Sequence, residues 1–216
     1  MSRLWKMIPC TALFVGVFLW SATTRAVTLT FDDLAPTIYG ALPTNYAGFQ
    51  WTELGDTGVI DPTTYGSLPN GYYNGVVSQT NVAYTNSPLT ITNSTPFTFE
   101  AGYFTSAWND NLNLSIQGFQ GSALVDSASL VLQVSGPTYF VADFENIDKL
   151  VISPSGGTKD PAVSGSGTYV AMDNLSFGPA ETTAAPLPSA GFAIFGLLAG
   201  LAVIKLVGRS RTSAAV

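Results

Sequence analysis

The 216-residue chain has no histidine and a single cysteine, Cys10. The first absence removes Ser-His-Asp and Cys-His catalysis, and with them His-ligated zinc. The second excludes a disulfide framework. Cys10 lies in an N-terminal segment that reads as a cleavable leader, so the processed protein would carry no thiol. Charge is equally scarce, since Asp, Glu, Lys and Arg make up 10% of the residues. All 14 acidic residues fall between Asp32 and Glu181, a stretch whose 2 bases are Lys149 and Lys159, for a balance of −12. A domain this acidic repels phosphates, which argues against nucleic acid as a partner. No apolar pattern of helical period runs through residues 27–180.

The remaining bases sit at the two ends, and there they have a purpose. Arg3 and Lys6 precede the apolar run from Met7 to Trp20, and SATTRA follows with small Thr24 and Ala26 placed for cleavage before Val27. Residues 1–26 therefore read as a secretory signal peptide. An apolar core of about 14 residues is short for a membrane span. Cys10 precedes that core and follows a proline, which does not fit a lipoprotein signal.

At the other end, a polar linker occupies residues 178–189 (GPAETTAAPLPS), an apolar stretch residues 190–208, and a basic tail residues 209–216. A helix of about 19 residues rising 1.5 Å each spans roughly 28 Å, close to the hydrocarbon thickness of a bilayer. Lys205 snorkels near its end, and Arg209 and Arg211 mark that side as cytoplasmic. This arrangement predicts one transmembrane helix with the main domain exported.

Between the ends the period is two. VTLTF (27–31), LTI (89–91), FTF (97–99), LNLSI (112–116) and LVLQV (130–134) alternate, and TYVAMDNLSF (168–177) does so less regularly. Turn signals separate these runs at Asn70-Gly71, Asn74-Gly75, Gly136-Pro137, Gly156-Gly157 and Gly165-Ser166-Gly167. The pattern predicts an all-β domain over residues 27–177, an antiparallel sandwich of roughly nine to eleven short strands.

Three sets of residues are candidates for chemistry. Asp32, Asp33, Asp173 and Asn174 would meet if the first and last strands pair, and such oxygen donors suit a structural Ca²⁺. Asp173 shares the alternating face of Leu175 and Phe177, where an unpaired carboxylate is costly; hydrogen bonding to turn backbone is the alternative use of these acids. Trp108 with Asn109 and Asp110 forms the second set, a stacking face beside polar groups that would suit a sugar, with Trp51, Tyr72, Tyr73 and Tyr139 as further aromatics. Aromatic residues in a sandwich also serve as core. A glycosidase would need a facing pair of carboxylates, for which Glu53, Glu100 and Glu145 are available, but their spacing selects no pair.

The motif Ala185-Pro186-Leu187-Pro188-Ser189, set directly against the apolar helix and the basic tail, resembles the VPLPA variant of the PEP-CTERM sorting signal. It departs from that pattern at Ala185 and Ser189. FDDL (31–34), GFQW (48–51), GYYNGVVSQTNVAY (71–84), AWNDNL (107–112), SGGT (155–158) and AMDNLSF (171–177) likewise resemble, in order, a group of jelly-roll PEP-CTERM proteins. The resemblance implies a jelly-roll-like β-sandwich and recognition of the tail by an exosortase, a membrane-embedded transpeptidase. It implies no known activity, but the family's association with exopolysaccharide producers implies a place at the cell surface or in a matrix. With no histidine, no retained thiol and no selected carboxylate pair, the chain reads as a non-enzymatic surface protein. Two other readings of the same ends are a sortase signal at Leu187–Gly191 and a plain membrane anchor. For the domain, the alternative is a carbohydrate-binding module.

Overall fold

The computed structural model describes residues 26–35, 38–65 and 68–180. Nearly all of the signal peptide, the sorting motif, residues 190–208 and the basic tail lie outside these. Among the described residues no helix is long and apolar enough to cross a membrane.

The alternating sequence folds into eleven strands, all paired antiparallel. These are β1 (Val27–Leu29), β2 (Tyr39–Gly40), β3 (Asn45–Tyr46), β4 (Phe49–Glu53), β5 (Thr57–Ile60), β6 (Val82–Thr85), β7 (Leu89–Ser106), β8 (Asn109–Gln120), β9 (Ala123–Leu132), β10 (Thr138–Lys159) and β11 (Val170–Pro179). One helical turn, α1 (Gly71–Asn74), lies between β5 and β6.

Two long strands shape the sandwich. The first part of β7 pairs with β4 and with the end of β10, through Leu89↔Ile152 and Ile91↔Leu150. Its second part pairs with β11 and with the start of β10, through Phe104↔Thr138 and Phe104↔Met172. Register shifts in β10 between Val141 and Lys149 mark where the strands turn from one layer to the other. One layer thus runs β3–β4–β7–β10–β8–β9. The other runs β2–β5–β6–β11–β7–β10, with β1 continuing the β6 edge along β11 through Val27↔Phe177 and Leu29↔Leu175. The first and last strands of the domain do pair.

Leu112, Leu114 and Ile116 of β8, Ile147, Leu150 and Ile152 of β10, and Phe99 and Phe104 of β7 are fully buried between the layers with Phe31, Leu175 and Phe177. Burial of each such side chain stabilises the fold by about 1.5–3 kcal/mol. A second cluster gathers Ile60, Tyr72, Val82, Tyr84, Ala107, Trp108 and Ala171.

Several turn signals have other uses. Asn70 caps α1, its side chain accepting the Tyr73 N–H, and Gly75 closes the same turn. Gly156-Gly157 is no turn: both adopt positive φ (68° and 78°) inside β10, where a Cβ on Gly157 would stand 2.8 Å from Cβ of Asn109. The glycines let β8 approach where a side chain would not fit. The runs LTI and FTF belong to one strand, because β7 continues through Asn93–Pro96.

Candidate functional site

The candidate metal residues gather around one loop. Asp173 is fully buried, and its Oδ2 accepts the backbone N–H groups of Val77 (2.7 Å) and Ser78 (2.8 Å). Its Oδ1 accepts the Ser78 hydroxyl (2.9 Å) and the Asn174 N–H (2.7 Å). Asp32 Oδ1 accepts the N–H groups of Thr80 and Asn81, each at 3.0 Å. Asn81 returns the contact, donating from Nδ2 to the carbonyls of Phe31 (3.0 Å) and Leu34 (2.6 Å). Phe31 is held there with a positive φ of 62°, a strained conformation for an aromatic residue.

The FDD and MDN motifs therefore latch residues 77–81 from two sides. Burial pushes the Asp173 carboxyl up despite its hydrogen bonds from Ser78 and Val77. Burial also pushes Asp32 up, but the N–H donors of Asn81 and Thr80 outweigh it and hold that carboxyl below its ordinary value. Asp33 accepts the Tyr46 hydroxyl (2.6 Å), while Asn174 Oδ1 is buried without a hydrogen bond. Among the described residues no three of His, Cys, Asp and Glu gather closely enough to hold a metal ion.

The candidate glycan residues part company. Trp108 lines a cavity of about 350 Å³. Asn109 turns away to donate to the Gly156 carbonyl (3.0 Å), and Asp110 accepts the Val134 N–H (3.1 Å). Trp51 belongs to the inter-sheet core with Phe31 and Tyr46, its Nε1 donating to the Tyr46 carbonyl. Tyr139 pairs with Tyr103 at 4.7 Å. Of the three glutamates, Glu100 accepts the Ser176 hydroxyl (2.7 Å), and Glu53 lines a separate cavity of about 360 Å³ with Trp51 and Gln50. Volume does not distinguish the two cavities; their walls do.

Six aromatic residues line the Trp108 cavity, together with Asp56, Ile60, Gly165 and Ser166. Tyr72 forms its floor, perpendicular to Trp108 (5.3 Å, 88°) and edge-on to Tyr65 (5.8 Å) and Tyr84 (5.7 Å). Tyr169 stands 6.2 Å from Tyr84, and Tyr39 is 64% exposed at the rim. Among the described residues the only charged one lining it is Asp56, exposed, whose Oδ2 accepts the Tyr169 hydroxyl (2.8 Å) and whose Oδ1 lies 3.5 Å from that of Tyr84. Burial, the neighbouring phenols and the Asp56 charge hold Tyr72 well above the usual tyrosine range. Burial and Asp56 likewise raise Tyr84 and Tyr169. All three hydroxyls keep their protons at neutral pH.

Backbone close approach builds this cavity. Tyr84 faces Gly58 across the β5–β6 pair, and a Cβ on Gly58 would stand 2.9 Å from the Tyr84 hydroxyl. A Cβ on Gly165 would stand 2.4 Å from three ring atoms of Trp108, so the loop lies flat on one indole face. Trp108 is fixed through its backbone: the Asp160 N–H donates to its carbonyl (2.9 Å), and the adjoining Ala107 N–H donates to the Tyr169 carbonyl (2.9 Å). Asp56 is placed by paired bonds with Asn86, N–H to side-chain oxygen (3.0 Å) and N–H to carbonyl (3.2 Å).

Reading along the chain misses Tyr39, Asp56, Tyr65 and Tyr84 as partners of Trp108. Tyr39 and Tyr84 meet through the β2–β5–β6 pairing, and Asp56 and Tyr65 come from the loops on either side of β5. The available signal was the frequency of tyrosine, 9 residues, beside glycines that admit rings.

No family model and no curated protein matches the sequence. Among solved structures the fold is similar to a DUF4465 family protein from Bacteroides caccae, at 12% identity and a TM-score of 0.51, over 71% of this chain and 98% of that one. A DUF4465 family protein from Bacteroides ovatus matches at 10% identity and a TM-score of 0.47, over 71% and 98% of the two chains. TmCBM61 in complex with β-1,4-galactotriose matches at 7% identity and a TM-score of 0.36, over 61% and 88%. The first of these supports the antiparallel β-sandwich as a fold.

Proposed function

We propose that the domain is a non-catalytic carbohydrate-binding module, displayed outside the cell on a jelly-roll-like sandwich. One observation carries the reading: Tyr39, Tyr65, Tyr72, Tyr84, Trp108 and Tyr169 enclose a single cavity with one carboxylate, Asp56, on its wall. Ligand sites of about 300–1,000 Å³ are lined mainly by apolar and aromatic groups with a few polar ones that orient the ligand. Sugars present flat C–H faces to rings and hydroxyls to carboxylates, which matches this wall.

Among the described residues lining the cavity Asp56 has no acidic partner, so these residues do not supply both the general acid and the base of a glycosidase. Glycan binding by the whole chain, read by isothermal titration against an oligosaccharide panel, tests the reading. Tyr39→Ala and Tyr65→Ala, at positions not buried in the core, should weaken binding at least about tenfold while the fold stays intact. Unchanged binding in both variants would overturn it.

The export and sorting reading rests on the sequence. In it the chain leaves through the secretory route and residues 190–208 retain it in the membrane, with Arg209 and Arg211 inside. An exosortase then cuts near Pro186-Leu187-Pro188, releasing the module to the surface or an exopolysaccharide matrix. Mass spectrometry of the protein recovered from cells should find a C-terminus between Ala185 and Ala190. An intact Val216 on membrane-bound protein would leave a plain anchor.

A further inference from the structure

Among the described residues lining the cavity, Asp56 is the one charged side chain and no basic group faces it. The hydroxyls of Tyr72, Tyr84 and Tyr169 keep their protons. The only two lysines of the described residues are engaged elsewhere. Lys149 Nζ lies 4.1 Å over the Phe119 ring, and Lys159 Nζ donates to the carbonyls of Val163 (2.5 Å) and Asp160 (3.4 Å). Five rings share the lining with the carboxylate, Tyr65, Tyr72, Tyr84, Trp108 and Tyr169, with neighbouring centroids 5.3–6.4 Å apart.

Rings attract cations through the negative potential of their faces, more strongly where water is excluded, and one carboxylate adds a direct counter-charge. An anionic sugar meets the opposite field, reinforced by an acidic domain. A neutral sugar would stack on the rings and leave the carboxylate without a counter-charge.

Resting on the carbohydrate-binding reading, we infer that the cavity selects a sugar carrying a free ammonium group, as in a de-N-acetylated hexosamine polymer. The ammonium sits against Asp56 among Tyr84, Tyr169 and Tyr39, and the pyranose ring stacks on Tyr65 and the Trp108 edge. The ligand's charge and its ring are both read, which separates this site from a cage for a bare quaternary ammonium. Acetylation of the nitrogen removes the charge and adds bulk, so the acetylated polymer is disfavoured twice. One added charge pair at an exposed carboxylate is worth up to about fivefold in affinity after solvent screening.

The test is titration of the whole purified chain with four probes: a glucosamine hexamer, its fully N-acetylated counterpart, a neutral β-glucan hexamer and tetramethylammonium chloride. The glucosamine hexamer should bind about three- to fivefold more tightly than the other three, and the difference should shrink with added salt. Asp56→Asn, which keeps an oxygen for the Tyr169 hydroxyl, should abolish the difference. Asp143→Asn, which removes the same charge from an exposed position elsewhere, should preserve it. Near-ultraviolet circular dichroism of the variants checks that the aromatic packing is intact.

Equal binding of all three hexamers would overturn the cation preference and leave the carbohydrate reading standing. Equal binding of tetramethylammonium would overturn the sugar component. A preference that survives Asp56→Asn, or that vanishes equally in Asp143→Asn, would overturn the role given to Asp56. Binding of none of the hexamers would overturn both readings together.

Discussion

Replacing Asp173 by alanine removes the acceptor for four donors at once: the N–H groups of Val77, Ser78 and Asn174 and the hydroxyl of Ser78. A hydrogen bond to a charged acceptor contributes about 1.5–3 kcal/mol, and a donor left buried and unpaired costs about 1–3 kcal/mol. Val77 is 40% exposed, so water reaches part of the loop and the full sum does not apply. A loss of about 2–4 kcal/mol follows. At about 2–4 °C per kcal/mol for a domain of this size, the melting temperature should fall by roughly 4–16 °C. Differential scanning calorimetry of the whole chain measures it. Asp148→Ala serves as the control, since its carboxylate accepts one exposed N–H, from Gly121. Its cost should stay below about 1 kcal/mol. A fall of less than about 1 °C for Asp173→Ala would refute the latch as a stabilising element.

Asp32 titrates below its ordinary value of 3.8 in the folded chain, so its contribution is present above that pH and lost as acid carries the carboxyl through its lowered value. Acidification from pH 5 to pH 3 should therefore destabilise the wild type more than Asp32→Asn; equal losses would deny Asp32 that role. The N–H and O–H donors already meeting Asp32 and Asp173 predict that EDTA leaves the melting temperature unchanged, whereas a drop that Asp173→Asn abolishes would restore the Ca²⁺ reading of Asp32, Asp33, Asp173 and Asn174. Gly165→Val, whose Cβ would stand 2.4 Å from the Trp108 ring, should displace the indole and weaken glycan binding at least about tenfold. Unchanged affinity would separate Trp108 from the site.

Much of the sandwich was legible along the chain because alternation is a local signal. VTL (27–29), LNLSI and MDNLSF fall in strands, and the pairing of the first strand with the last follows from Leu29 facing Leu175. The burial of Asp173 was legible too, since it shares the inward face of Leu175 and Phe177. The length of β7 and β10 was not, because Asn93–Pro96 and Gly156-Gly157 carry turn chemistry that strand pairing overrides. The cavity was the least legible feature. Trp108 stands beside Asn109 and Asp110 in sequence, but it sits in the bend before β8, and both polar side chains are spent on backbone. Its cavity partners come from β2, β5–β6 and the approach to β11, which only register brings together.

The most direct test of the central claim is a crystal structure of the protein with a bound oligosaccharide. The account predicts a pyranose ring stacked against Tyr65 and the Trp108 edge with a polar group on Asp56. A sugar seated instead beside Trp51 and Glu53 in the second cavity, with the Trp108 cavity untouched, would contradict it.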